Sequence, residues 1–162
     1  MTPKSLQIST PTDTTIVLTR GFRAPRRLVW EAMFTPDKMR RWMVPPPGWT
    51  LADCDVSPCL AGGLRLTWRS ADADPAMTMF GVFTEVAAHE AIVHTETMVL
   101  PGGQVVSSLV ERHEFADDGG ATLMRITQTY ESRAARDGAL ESGMDQGMEA
   151  CYCHLDALLA PG

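Results

Sequence analysis

Long apolar runs are missing from this 162-residue chain, and none approaches the roughly 20 residues that a membrane-spanning helix requires. The first fifteen residues carry Lys4 and then polar side chains, without the apolar core of a signal peptide, so the expected location is the cytoplasm. Metal-type cysteine spacing is missing as well. Cys54 and Cys59 have no second pair to complete a site, and Cys151 and Cys153 would point to different faces of a helix. All four therefore read as reduced thiols. No phosphate-cradling glycine loop, Walker sequence, dinucleotide fingerprint or serine-hydrolase elbow occurs, so neither cofactor nor metal is expected. An excess of positive charge is absent too. With 14 basic and 20 acidic residues the formal charge is −6, which argues against nucleic-acid binding, whose affinity comes from neutralising phosphates. Internal repeats and low-complexity segments are lacking, and no stretch reads as an interdomain linker.

What remains is 44% hydrophobic and 21% charged, ordinary for one globular domain. Residues 1–13 are rich in Thr, Ser and Pro and are expected to form a flexible arm, with a single domain over 14–162. The strongest pattern lies near the end, over 132–160. Leu140, Met144, Met148, Cys151, Leu155, Leu158 and Leu159 share one stripe of a helix, opposite Arg133, Arg136, Asp137, Glu141, Asp145, Glu149 and Asp156. Such a long helix must lie on something, and the chain upstream reads mostly as strands. Gly143 and Gly147 each cost about 1 kcal/mol relative to Ala in a helix interior. They imply either tight packing on the sheet or close approach by a backbone or ligand.

From residue 14 the chain alternates, with Ile16, Leu18 and Phe22 on one side and Thr15, Thr19 and Gly21 on the other, interrupted by Arg20. Two short helices should follow, the first opening near Pro25 and the second capped by Thr35 with Pro36 at its first position. Pro45, Pro46, Pro47 and Gly48 then impose an extended loop between Trp42 and Trp49. Between residues 49 and 130, turn chemistry recurs at 57–63, 70–76, 89–91, 101–103 and 117–120, which divides the segment into six strands of an antiparallel meander. Alternation turns Leu64, Leu66, Trp68, Leu109, Phe115, Met124 and Ile126 toward the helix. Residues 77–86 and 92–99 are mixed on both faces and carry no such assignment. Seven basic residues cluster between Arg20 and Arg41, read either as a solvated face or as a docking surface through Arg26, Arg27, Arg40 and Arg41.

Several words in this order resemble a known family. They are Arg20-Gly21-Phe22-Arg23-Ala24-Pro25-Arg26-Arg27-Leu28-Val29-Trp30-Glu31-Ala32-Met33, Thr35-Pro36-Asp37 with Arg41-Trp42, and Pro47-Gly48-Trp49-Thr50. Gly62-Gly63, Gly81-Val82-Phe83-Thr84-Glu85-Val86 and Ser142-Gly143-Met144-Asp145-Gln146-Gly147-Met148 continue them. The chain resembles the homologues of the activator of heat-shock-protein-90 ATPase, of the START-like (Bet v-like, SRPBCC) superfamily. That resemblance implies an α+β helix-grip fold: a seven-stranded curved antiparallel sheet, two short helices after the first strand, and a long C-terminal helix across the concave face, with a cavity between. It also implies a lipid- or polyketide-like guest, with docking on a protein partner or cyclase/dehydratase-like catalysis as alternatives. Met43 and Met148 stand where the family usually has an aromatic side chain, and a thioether adapts to irregular space better than a ring does.

The expected ligand-binding set is Trp42, Trp49, Trp68, Met79, Phe83, His113, Gln128, Met144, Met148 and Tyr152, largely apolar with a few polar anchors, around a small apolar or aromatic molecule. His113 with Glu111 two residues before it is the best acid–base candidate, a lone imidazole on an apolar face being otherwise a satisfied core residue. His94 and Glu96 form a similar pair on an unassigned face. No nucleophile–base–orienter constellation accompanies either, so binding is expected ahead of catalysis, in a monomer or homodimer.

Overall fold

The computed structural model describes residues 3–72 and 76–161. Its elements run β1 (Gln7–Ser9), β2 (Thr15–Phe22), α1 (Arg26–Phe34), α2 (Pro36–Trp42), β3 (Trp49–Val56), β4 (Gly63–Ser70), β5 (Ala76–Ala87), β6 (Ala91–Val99), β7 (Val105–Asp118), β8 (Ala121–Tyr130), α3 (Arg133–Glu141) and α4 (Met144–Leu159). The strands form one antiparallel sheet in the order β1-β2-β8-β7-β6-β5-β4-β3. This is the helix-grip architecture, with eight strands where seven were expected. The additional strand comes from the expected arm: Gln7, Ile8 and Ser9 pair with Thr19, Leu18 and Val17, covering an edge of β2 that would otherwise leave its backbone groups open. The turn at 70–76 falls partly outside the described residues.

Alternation sets the inner face where the sequence has it. Leu64, Leu66, Leu109, Phe115, Met124 and Ile126 are buried and Trp68 half-buried, and all belong to one core with Ile16, Leu18 and Phe22 or pack against it. The two strands without a pattern are resolved by register. Ile92 pairs with His113 and His94 with Glu111, so the even residues of β6 face inward. In β5 an irregularity between Phe83 and Glu85 changes the inward parity from Met79 and Phe83 to Val86. Gly81 stands where a Cβ would lie 1.7 Å from the Thr95 carbonyl oxygen, so only glycine lets β6 approach β5 there.

The expected continuous C-terminal helix is two helices. Ser132 caps α3 by accepting a hydrogen bond from the Ala135 amide, and the chain then breaks at Gly143, whose φ is +77°. A side chain would strain that left-handed conformation, and nothing approaches the position within 4 Å. Gly143 is thus a break between helices and not a packing contact; Gly147 also has open space beside it. α4 is seated by Leu155 and Tyr152, both buried, and by Arg20. Arg20 read in sequence as an interruption of an apolar strand face. It is 1% exposed and reaches from β2 to Glu149 and Asp156, two turns apart on α4, with contacts of 2.9 and 2.8 Å. Glu149 also accepts from the Leu6 amide at 2.9 Å, which fastens the N-terminal segment to the same helix.

Candidate functional site

Sheet register builds a polar rung on an otherwise apolar inner face. His94 of β6 pairs with Glu111 of β7, and Glu111 with Gln128 of β8, so three polar side chains point inward in a row across adjacent strands. His113 is the next inward residue along β7, and Tyr130 the next along β8. All five are buried. The His113 Nε2 lies 2.7 Å from Glu111 Oε1, and Gln128 Nε2 donates to Glu111 Oε2 at 2.8 Å. Tyr130 donates to Gln128 Oε1 at 2.9 Å and lies 3.9 Å from the Met144 sulfur, which carries the network to the start of α4.

Aromatic rings enclose the imidazoles. Phe34 meets His113 edge-on with centroids 5.4 Å apart, Phe83 meets His94 at 5.5 Å, and the two imidazoles stack at 5.7 Å. Burial in such surroundings opposes charge on every member. The His94 imidazole is therefore held below its ordinary pKa, despite the opposing pull of Glu111. Burial also opposes ionisation of Glu111, but the His113 hydrogen bond, the charges of both imidazoles and the Gln128 amide outweigh it and bring its carboxyl down to about 2. Glu96, the next inward residue of β6, has no such donors among the described residues. Burial and the Glu111 charge push it well above the ordinary carboxylate value. Burial likewise raises the Tyr130 phenol and keeps it a neutral donor.

The ten residues expected to line a ligand site divide into three. Trp42, Phe83 and Tyr152 lie in the core: all are buried, Trp42 Nε1 donates to the Ala32 carbonyl at 2.7 Å, and Tyr152 meets Phe22 edge-on at 5.7 Å. His113 and Gln128 belong to the polar rung. Trp49, Trp68, Met79, Met144 and Met148 are half-buried, and all but Trp49 pack against the core while keeping a part of their surface free. The mixed faces of β6 leave His94 unassigned from sequence alone, and nothing in the local spacing singles out Tyr130. Spacing within one strand cannot reveal a rung that three strands build together.

Two surface hollows lie elsewhere. One of about 560 Å³ is lined by Leu6, Gln7, Ile8, Asp145, Gln146 and Glu149, and another of about 390 Å³ sits by Gly21, Arg23 and the end of α4. Neither includes an expected ligand residue. Of the basic cluster, Arg26 pairs with Glu90 and Asp117, Arg27 pairs with Glu31, and Arg40 donates to the Leu51 carbonyl at 2.9 Å. Arg41 is exposed and has no ion pair among the described residues.

A family model described as Activator of Hsp90 ATPase homolog 1-like protein matches residues 23–160. Among solved structures, a protein from Rhodobacter sphaeroides is similar at 24% identity and a TM-score of 0.86, over 96% of this chain and 97% of that one. A protein from Mycobacterium smegmatis gives 19% and 0.81 over 96% and 97%, and one from Nitrosomonas europaea 20% and 0.77 over 93% and 96%. At these identities the likeness is one of fold. Among curated proteins none matches the chain significantly.

Proposed function

The chain belongs to the activator of Hsp90 ATPase homolog 1-like family, and from that premise we propose that it binds a small, largely apolar or aromatic molecule between sheet and α4. The observation that carries this reading is the polar rung reaching Met144 at the edge of the half-buried apolar residues. Polar groups set into an apolar surface fix a guest's orientation, while the surrounding area supplies its affinity. Met79, Met144 and Met148 make the space by moving. Unbranched thioethers repack at low cost, so a guest enters by displacing them and not by filling a standing void. The polar end of the guest meets Gln128 and Tyr130.

Fluorescence of N-phenyl-naphthylamine tests the reading. The native protein should enhance it saturably, and Met144→Trp or Met148→Trp should remove the enhancement while circular dichroism stays native. Enhancement that survives both substitutions contradicts this site.

A second reading has its own observation. The 2.7 Å contact between His113 and Glu111 is the geometry of an oriented base, which would suit cyclase- or dehydratase-like proton transfer. Loss of turnover in a folded His113→Ala protein would support it. Docking on a protein partner through the basic cluster is less favoured, because three of its four arginines already hold internal partners.

A further inference from the structure

We propose that His94, Glu111 and His113 form a site for a single divalent first-row transition ion, with Zn2+ the best match to the donor type. This goes against the expectation from sequence that no metal is held, and it stands independently of any organic guest.

One ligand atom from each residue lies within 4.8 Å of the other two. Around Glu111 Oε1, His113 Nε2 is at 2.7 Å and His94 Nε2 at 3.7 Å. Ligand bonds of about 2.0–2.1 Å in tetrahedral geometry place neighbouring donors about 3.3 Å apart. The Glu111–His113 edge must lengthen and the Glu111–His94 edge shorten, each by about half an ångström, while the His94–His113 edge, bounded at 4.8 Å, closes by rotation of the two rings. Two imidazoles and a carboxylate are the nitrogen and oxygen set that borderline divalent ions prefer, and three protein ligands on a four-coordinate ion leave one position open.

The hydrogen-bond geometry supports the assignment. His94 Nδ1 is 3.1 Å from the Thr95 carbonyl, which accepts only, so Nδ1 carries the hydrogen. In the neutral ring Nε2 is then a lone pair set toward an anionic oxygen, an arrangement that a cation between them relieves. The same Nδ1–H to carbonyl bond is the usual outer support of a metal-binding histidine. Gln128 holds the far oxygen of Glu111, and Tyr130 holds Gln128, so the carboxylate is oriented as well. His113 Nε2 faces Glu111 Oε1 at 2.7 Å, and its Nδ1 is buried without a partner among the described residues, so Nδ1 has a vacant side onto which the ring's hydrogen can move when an ion takes its place at Nε2. Finally, Glu111 is a buried carboxylate with no lysine or arginine in ion-pair contact among the described residues. Its compensation comes from the His113 and Gln128 hydrogen bonds, and a divalent ion would add the full counter-charge that no neighbouring cation provides.

The experiment is calorimetric titration of chelator-treated, full-length protein with ZnCl2, followed by the visible spectrum of the Co2+ form. We expect one ion per chain. His94→Ala and His113→Ala should each weaken binding by more than about 100-fold, and Gln128→Leu, which acts on the carboxylate from outside, by about 10–100-fold. If the alanine variants fail to fold, imidazole nitrogen spectra of the native protein decide: added Zn2+ should move Nε2 of His94 and His113 and leave His89 and His154 in place. The proposal is overturned by the absence of stoichiometric uptake, by unchanged affinity in folded His94→Ala and His113→Ala proteins, or by shifts confined to His89 and His154. It is equally overturned by a thiolate-to-cobalt band that disappears in Cys59→Ser, Cys151→Ser, Cys153→Ser protein. Binding of N-phenyl-naphthylamine measured in chelator reports separately on the guest site.

Discussion

Arg20 Nε and Glu149 Oε2 are 2.9 Å apart across 129 residues of chain, and this contact joins the second strand to the last helix. The guanidinium also reaches both oxygens of Asp156, at 3.1 and 2.8 Å, and lies over the Phe22 ring at 4.9 Å. Removing one side of a buried ion pair typically costs 3–5 kcal/mol because the other charge is stranded. Here both carboxylates keep some solvent, so Arg20→Ala should cost about 3 kcal/mol, at the lower end of that range. Urea unfolding measures it, and a loss under 1 kcal/mol would mean the clasp does not seat α4.

Gly143 and Gly147 lie one turn apart and should respond to alanine with opposite signs. Gly143 has φ +77°, where an alanine costs about 1–2 kcal/mol. Gly147 is helical, exposed and has nothing within 4 Å, so Gly147→Ala should stabilise by about 0.5–1 kcal/mol. Thermal midpoints of the two variants check the pair. Equal signs would refute the break at Gly143.

Glu96 and Glu111 should tilt the pH dependence in opposite directions. Glu96 titrates well above its unfolded value, so its contribution is complete below about pH 4.3 and declines as pH rises toward the folded value. Glu96→Gln should therefore raise the thermal midpoint at pH 7 and leave it nearly unchanged at pH 4. Glu111 is held down at about 2, so its contribution is complete above about pH 4.3 and is lost as pH falls toward 2. Glu111→Gln should lower the midpoint at pH 7 and matter least near pH 2. Melting curves across this range, with the cluster kept metal-free by chelator, give the comparison.

Trp42 and Trp68 were alike as aromatic lining candidates, and the structure separates them. Trp42 is 5% exposed and bonds the Ala32 carbonyl, so Trp42→Phe should cost about 1–2 kcal/mol by leaving that acceptor unpaired, with probe binding unaltered. Trp68 is half-buried beside Met77 in the sheet, so Trp68→Ala should weaken N-phenyl-naphthylamine binding several-fold at a smaller stability cost. The reverse pattern would exchange their roles.

Much of this protein is legible from one-dimensional pattern, because burial of one sheet face imposes a period of two and burial of one helix face a period near four. Ile16, Leu18, Leu64, Leu66, Met124 and Ile126 announce their own facing, the turns of the meander carry their own chemistry, and the family words give the architecture. Other features depend on residues distant in sequence. Whether Arg20 spoils a strand face or clasps a helix depends on Glu149 and Asp156 arriving beside it. Whether His94 faces inward depends on a register that neither β6 nor β7 encodes alone, since both faces of β6 mix polar and apolar side chains. The rung of His94, Glu111 and Gln128 exists because inter-strand hydrogen bonds align three strands side by side. Local sequence thus determined which elements form and which patterned faces are buried, while pairing across the sheet decided which polar groups meet, since their meeting is a property of register and not of spacing along the chain.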